Sequence, residues 1–141
     1  IAFTKNRHNF RKEGDAMFHR ADSIAKKTGN IDLLATVQVY RAYSSVFADY
    51  KMSLADLLTA EKTCEKAGNI RLLSICQYFI AIEYANGESN FTKGMEYYLK
   101  CVNTSERVNY LRYYCSGNFA TGQSYHRMDD AVNALLFFTK A

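Results

Sequence analysis

Proline and tryptophan are both absent from the 141 residues, and glycine occurs only seven times. With so few strong breakers, the chain favours long helices over many short strands joined by tight turns. Histidine is scarce too: His8, His19 and His126 stand too far apart in sequence to form a close chelating pair. The four cysteines, Cys64, Cys76, Cys101 and Cys115, are spaced by 12, 25 and 14. That spacing matches neither a close metal-binding pair nor a small-domain disulfide framework. Each falls in an apolar helical stretch, so reduced, buried thiols are expected. Long hydrophobic runs are missing as well. The most apolar window, residues 78–82, is broken at once by Glu83, far short of the roughly 18 residues a bilayer span needs. Neither sign of charge dominates. Eighteen basic against fourteen acidic residues leave a formal +4, and the basic residues are scattered, which argues against nucleic acid as a partner.

The same search finds no catalytic set. Gly87 and Gly94 form no phosphate loop, and no Gly-Lys-Ser/Thr motif follows a strand. Asp129-Asp130 reads as a helix start, where acidic groups favour the dipole. No residue pair nominates an activated nucleophile. A noncatalytic protein without a cofactor or metal is therefore expected, and one without membrane contact in this segment. The chain opens on Ile1 with no initiator Met and no secretory pattern. A cytoplasmic location and a missing N-terminus of the gene product are the matching expectations.

What the chain does have is apolar residues, 48% of the total, and eleven tyrosines with nine phenylalanines. It also repeats itself. Asn30-Ile31-Asp32-Leu33-Leu34-Ala35 recurs as Asn69-Ile70-Arg71-Leu72-Leu73-Ser74, 39 residues later, and more weakly from Asn109-Tyr110-Leu111. A second pattern, small, large and small residues at spacings of four and three, appears four times. Its copies are Gly14/Phe18/Ala21, Ser53/Leu57/Ala60, Gly94/Tyr98/Cys101 and Ala134/Phe138/Ala141, at offsets of 39, 41 and 40. Such spacing puts the three residues on one helix face, a large knob between two small holes. Lys26-Lys27 followed by Gly29 and Asn30 gives a basic last turn, a left-handed stop and a cap for the next helix; Lys66, Gly68 and Asn69 do so again. Softer boundaries fall at Asn103-Thr104-Ser105 and Asp129-Asp130. Seven helices are expected, at about 9–28, 31–48, 51–67, 70–86, 90–103, 107–127 and 129–141, in one continuous unit over 1–141.

The last unit, from Gly122 to Ala141, resembles a tetratricopeptide repeat. Gly122, Tyr125, Ala134, Phe138 and Ala141 fall at the family's eighth, eleventh, twentieth, twenty-fourth and twenty-seventh positions. Ala42, Ser53, Leu57 and Ala60 fit an earlier copy with a one-residue slip. Ala81, Tyr84, Gly94, Tyr98 and Cys101 fit another with one extra residue in the turn. The repeat of 39–41 residues exceeds the family's usual length of about 34. The resemblance implies an all-α fold, a right-handed solenoid of stacked antiparallel helix pairs. It also implies a fragment of a larger bacterial regulatory protein, because stacked pairs bury a continuous core that a terminal pair cannot close.

Family positions two, five, nine, twelve and thirteen line the concave face. Carried over, they give Thr36, Val39, Tyr43, Val46 and Phe47 in one copy and Ile75, Tyr78, Ile82, Ala85 and Asn86 in the next. The last copy supplies Ser116, Phe119, Gln123, His126 and Arg127. Tyr43, Phe47, Tyr78 and Phe119 fit interhelix core as well as aromatic anchors of a groove. Of the basic and amide groups that clamp a carboxylate in some family members, only Asn86 and Arg127 have counterparts. The expected partner is a protein or peptide with an apolar or aromatic segment, which another part of the same polypeptide could supply. The alternative is a direct peptide or small-ligand sensor that changes superhelical shape on binding.

Overall fold

In a computed structural model of the protein, the backbone is described for residues 2–45, 50–87 and 89–141, and the side chains for 13–44, 53–87 and 89–141. Among the described residues every regular element is helical. They are α1 (Ala2–Thr28), α2 (Ile31–Ser45), α3 (Tyr50–Ala67), α4 (Ile70–Ile82) with a π turn (Glu83–Gly87), α5 (Phe91–Glu106), α6 (Leu111–Arg127) and α7 (Ala131–Phe138).

The corners show why the helices stop where they do. Gly29 and Gly68 take the left-handed conformation at φ 64° and 68°. The Asn30 amide then donates back to the Ala25 carbonyl at 3.2 Å, and the Asn69 amide to that of Cys64 at 3.2 Å. Each asparagine side chain caps the helix that follows: Asn30 Oδ1 accepts from the Leu33 amide and Asn69 Oδ1 from the Leu72 amide, both at 2.9 Å. The third corner has the same geometry without glycine. Asn109 sits at φ 51° and the Tyr110 amide donates to the Ser105 carbonyl at 2.9 Å.

Element bounds differ from the expected ones at both ends, where α1 begins at Ala2 instead of 9 and α7 spans Ala131–Phe138 instead of 129–141, and at three inner places for local reasons. Helix α5 runs on to Glu106 instead of 103, because Thr104 and Ser105 are buried and the Ser105 hydroxyl turns back to the Cys101 carbonyl. Helix α6 therefore begins at Leu111, not 107. The extra residue of the α4–α5 copy is absorbed in the π turn, which holds one residue more per turn than an α-helix. Residues 46–49 of the expected 31–48 helix lie outside the described residues.

Packing follows chain order. Each helix lies against the next, α2 also meets α4, and α4 meets α6; among the described residues no two elements further apart than that touch. This is an all-α, repeat-like arrangement of helices packed in adjacent pairs.

The knob pattern sits where those contacts are made. Ser53, Leu57, Ala60 and Cys101 have no exposed surface, and Tyr98 and Ala134 are buried. Glycine appears where the backbones come closest: a Cβ on Gly94 would stand 2.9 Å from the Ala85 Cβ, and one on Gly117 would stand 2.7 Å from Val102 Cγ2. The outer copies are less covered. Phe18 is half-buried, and Phe138 keeps 37% of its surface exposed although it packs over Gly122. Cys64, Cys76 and Cys101 are buried free thiols, and Cys115 is half-buried.

Candidate functional site

Every second helix turns aromatic residues to one common side. Tyr40 and Tyr43 share a face of α2, being three residues apart, as Ile75, Tyr78 and Phe79 do on α4. With Tyr110, Arg112, Tyr113 and Ser116 at the start of α6, they enclose a hollow of about 300 Å³. Its wall is a connected set of rings. Tyr43 meets Phe79 at 4.4 Å between centroids, Phe79 meets Tyr78 at 5.7 Å, Tyr78 meets Tyr113 at 5.4 Å, and Tyr113 meets Tyr110 at 5.3 Å. Most of these are edge-on or tilted, the geometry the ring quadrupole favours.

Two guanidinium groups lie on this wall, Arg71 over Tyr110 at 5.6 Å and Arg112 over Tyr113 at 5.7 Å. Among the described residues no carboxylate lines the hollow. Arg112 is therefore the charged group of its lining. Burial, and then the neighbouring Cys101, raise the Tyr78 phenol above its ordinary range. Burial pushes Tyr113 up to about 12 although Arg112 pulls the other way. Tyr40 and Tyr43 form the open lip, 45% and 47% exposed.

No family model, no curated protein and no solved structure matches this chain.

Of the residues proposed from sequence, the hollow brings together Tyr43, Ile75, Tyr78 and Ser116. Thr36 is half-buried one turn before Tyr40 and donates its hydroxyl to the Asp32 carbonyl at 2.9 Å. Val39 is fully buried in the core, so the face starts one residue later, at Tyr40. Ile82 is half-buried and packs on the core. Ala85 is buried under Gly94, and Asn86 is exposed in the π turn. Phe119 stands half-exposed against Phe138, ring centroids 5.6 Å apart, away from the hollow. Gln123 and His126 are exposed further along α6. Arg127 lines a separate hollow of about 330 Å³ between the start of α5 and the end of α6. Val46 and Phe47 lie outside the described residues.

Sequence reasoning passed over Tyr40, Phe79, Tyr110, Arg112 and Tyr113. The signal for the last three was the run Tyr110-Leu111-Arg112-Tyr113-Tyr114, dense in rings at a helix start. Among the described residues, no cluster of three or more His, Cys, Asp or Glu is placed to hold a metal ion, and no helix is long and apolar enough to cross a membrane.

Proposed function

We propose that this chain is a noncatalytic protein- or peptide-binding scaffold, a right-handed α-solenoid of the tetratricopeptide type, serving as the interaction part of a regulatory protein. The observation that carries this is the aromatic wall shared by α2, α4 and α6, three helices that do not follow one another in the chain yet turn their rings to one side. Tyrosines supply large contact area at low entropic cost and offer hydroxyls to a peptide backbone. The ligand that fits is a short apolar or aromatic segment. Arg112 at the edge favours a carboxylate on that segment. Another stretch of the same polypeptide with that chemistry would serve as well.

The test is a peptide library displayed against the intact chain. Selected peptides should be rich in aromatic and aliphatic residues, and Tyr43→Ala should weaken the best of them by about tenfold or more. Tyr43 is the anchor to truncate because it is half-exposed, so its loss leaves the core intact. A folded Tyr43→Ala variant that binds every selected peptide as tightly as the parent chain overturns the proposal.

A further inference from the structure

The geometry points to a second binding site, for a small apolar carboxylate, in the hollow between the start of α5 and the end of α6. It has about 330 Å³ of space, the size range of small-molecule sites. Phe91, Met95 and Met128 give it an apolar lining, Thr92 and Ser124 add two hydroxyls, and Arg127 supplies its charge. No described carboxylate lies within ion-pair distance of that guanidinium. Phe91 and Met128 at its mouth are half-exposed and so reachable by a ligand.

The protein itself indicates what the hollow lacks. The α3–α4 contact is built on the same register 41 residues earlier. There Leu54 stands in the place of Met95 and Glu83 in the place of Ser124. Glu83 is 3% exposed and accepts a hydrogen bond from the Ser53 hydroxyl at 3.0 Å. A carboxylate on two methylenes is thus buried within that interface. At α5–α6 Ser124 takes the acid's place, Ala85 closes in on Gly94, the counterpart of Ser53, and the hollow beside Ser124 is left open with the Arg127 cation at its edge. An aliphatic chain ending in a carboxylate suits this lining, the chain against Met95 and Phe91 and the acid on Arg127. The amides of Phe91 and Thr92, in the first turn of α5 and free of intrahelical partners, add to the attraction.

Octanoate titrated into the intact chain, followed by amide chemical shifts and by calorimetry, tests this. Saturable binding is expected, with shifts centred on Met95 and Ser124. Arg127→Gln should weaken octanoate by about tenfold while leaving octan-1-ol, which has the chain without the charge, bound as before. Because Arg127 is exposed, that variant keeps its fold. Tyr43→Ala should leave octanoate affinity unchanged, so a failed aromatic groove and a failed α5–α6 site give different results. Octanoate that does not saturate, or that binds Arg127→Gln as tightly as the parent chain, overturns the assignment.

Discussion

The α3–α4 and α5–α6 contacts share one register, 41 residues apart, and solve the same packing problem with different materials. In the first, Leu57 is the knob, and the Cys76 thiol opposite donates to the Leu57 carbonyl at 3.2 Å. In the second, Tyr98 is the knob and Gly117 faces it, where a Cβ would stand 3.4 Å from the Tyr98 carbonyl. A larger knob has been matched by a smaller hole. At the far end the two part company. The π turn and Glu83 close the first contact, whereas the second ends in a hollow lined by Met95 and Arg127. Repetition therefore conserves the spacing of backbones in this molecule and leaves each end free to diverge.

Alkali should break that comparison most severely. Burial first, then Asp32, Glu61 and Glu65, push the Cys64 thiol up to about 12, and burial pushes Cys101 up to about 12. Both groups are neutral in the fold and ionise near 9 once exposed. Their contribution to stability is thus complete below pH 9 and is lost as pH rises towards 12. Cys64 lies in α3, but its counterpart in α5 is Ser105, which does not ionise. Cys64→Ala should flatten the alkaline limb of thermal stability, as followed by circular dichroism. An unchanged limb would assign the loss to the other buried thiols, Cys76 and Cys101, and to the tyrosines instead.

Side-chain truncation gives the next largest effect. Leu54→Ala removes a buried side chain and should cost roughly 3 kcal/mol in urea unfolding. Met95→Ala, its counterpart beside open space, should cost about 1 kcal/mol. Equal losses would mean that the hollow is closed in solution. Overpacking comes third. Gly117→Ala forces a methyl group onto Val102 and should cost about 1–3 kcal/mol, while Cys76→Ala at the equivalent place only deletes contacts. Capping is the smallest effect. Asn69→Ala should lose about 1 kcal/mol, a loss with no parallel at Tyr110, the equivalent N-cap, whose side chain makes no capping bond.

The helix order, the two glycine corners and the inner knobs were all legible, because each rests on local chemistry: a left-handed glycine, an asparagine cap, or a face repeated every three and four residues. Other features depended on tertiary context. Nothing in Asn103-Thr104-Ser105 distinguishes a turn from a helix end whose hydroxyls are satisfied by the preceding turn. The corners at Asn109 and Asp129 take positive φ without glycine to announce it. The groove was legible as a set of helices rather than as a set of residues. A slip of one position, between Val39 and Tyr40, turns the side chain from core to solvent, and a spacing rule borrowed from a shorter repeat cannot set that phase. Arg112 and Tyr113 were missed because α6 starts four residues later than its polar lead-in suggested.

The short reach of these helix contacts, each with the next helix or the next but one, also bears on how the molecule responds to load. Among the described residues α1 packs on α2 alone and α7 on α6 alone, so tension applied across the two ends enters through those two contacts. The contacts α1–α2 and α6–α7 bear the full force, whereas the inner helices share it, so extension should begin at the ends and proceed in discrete lengths.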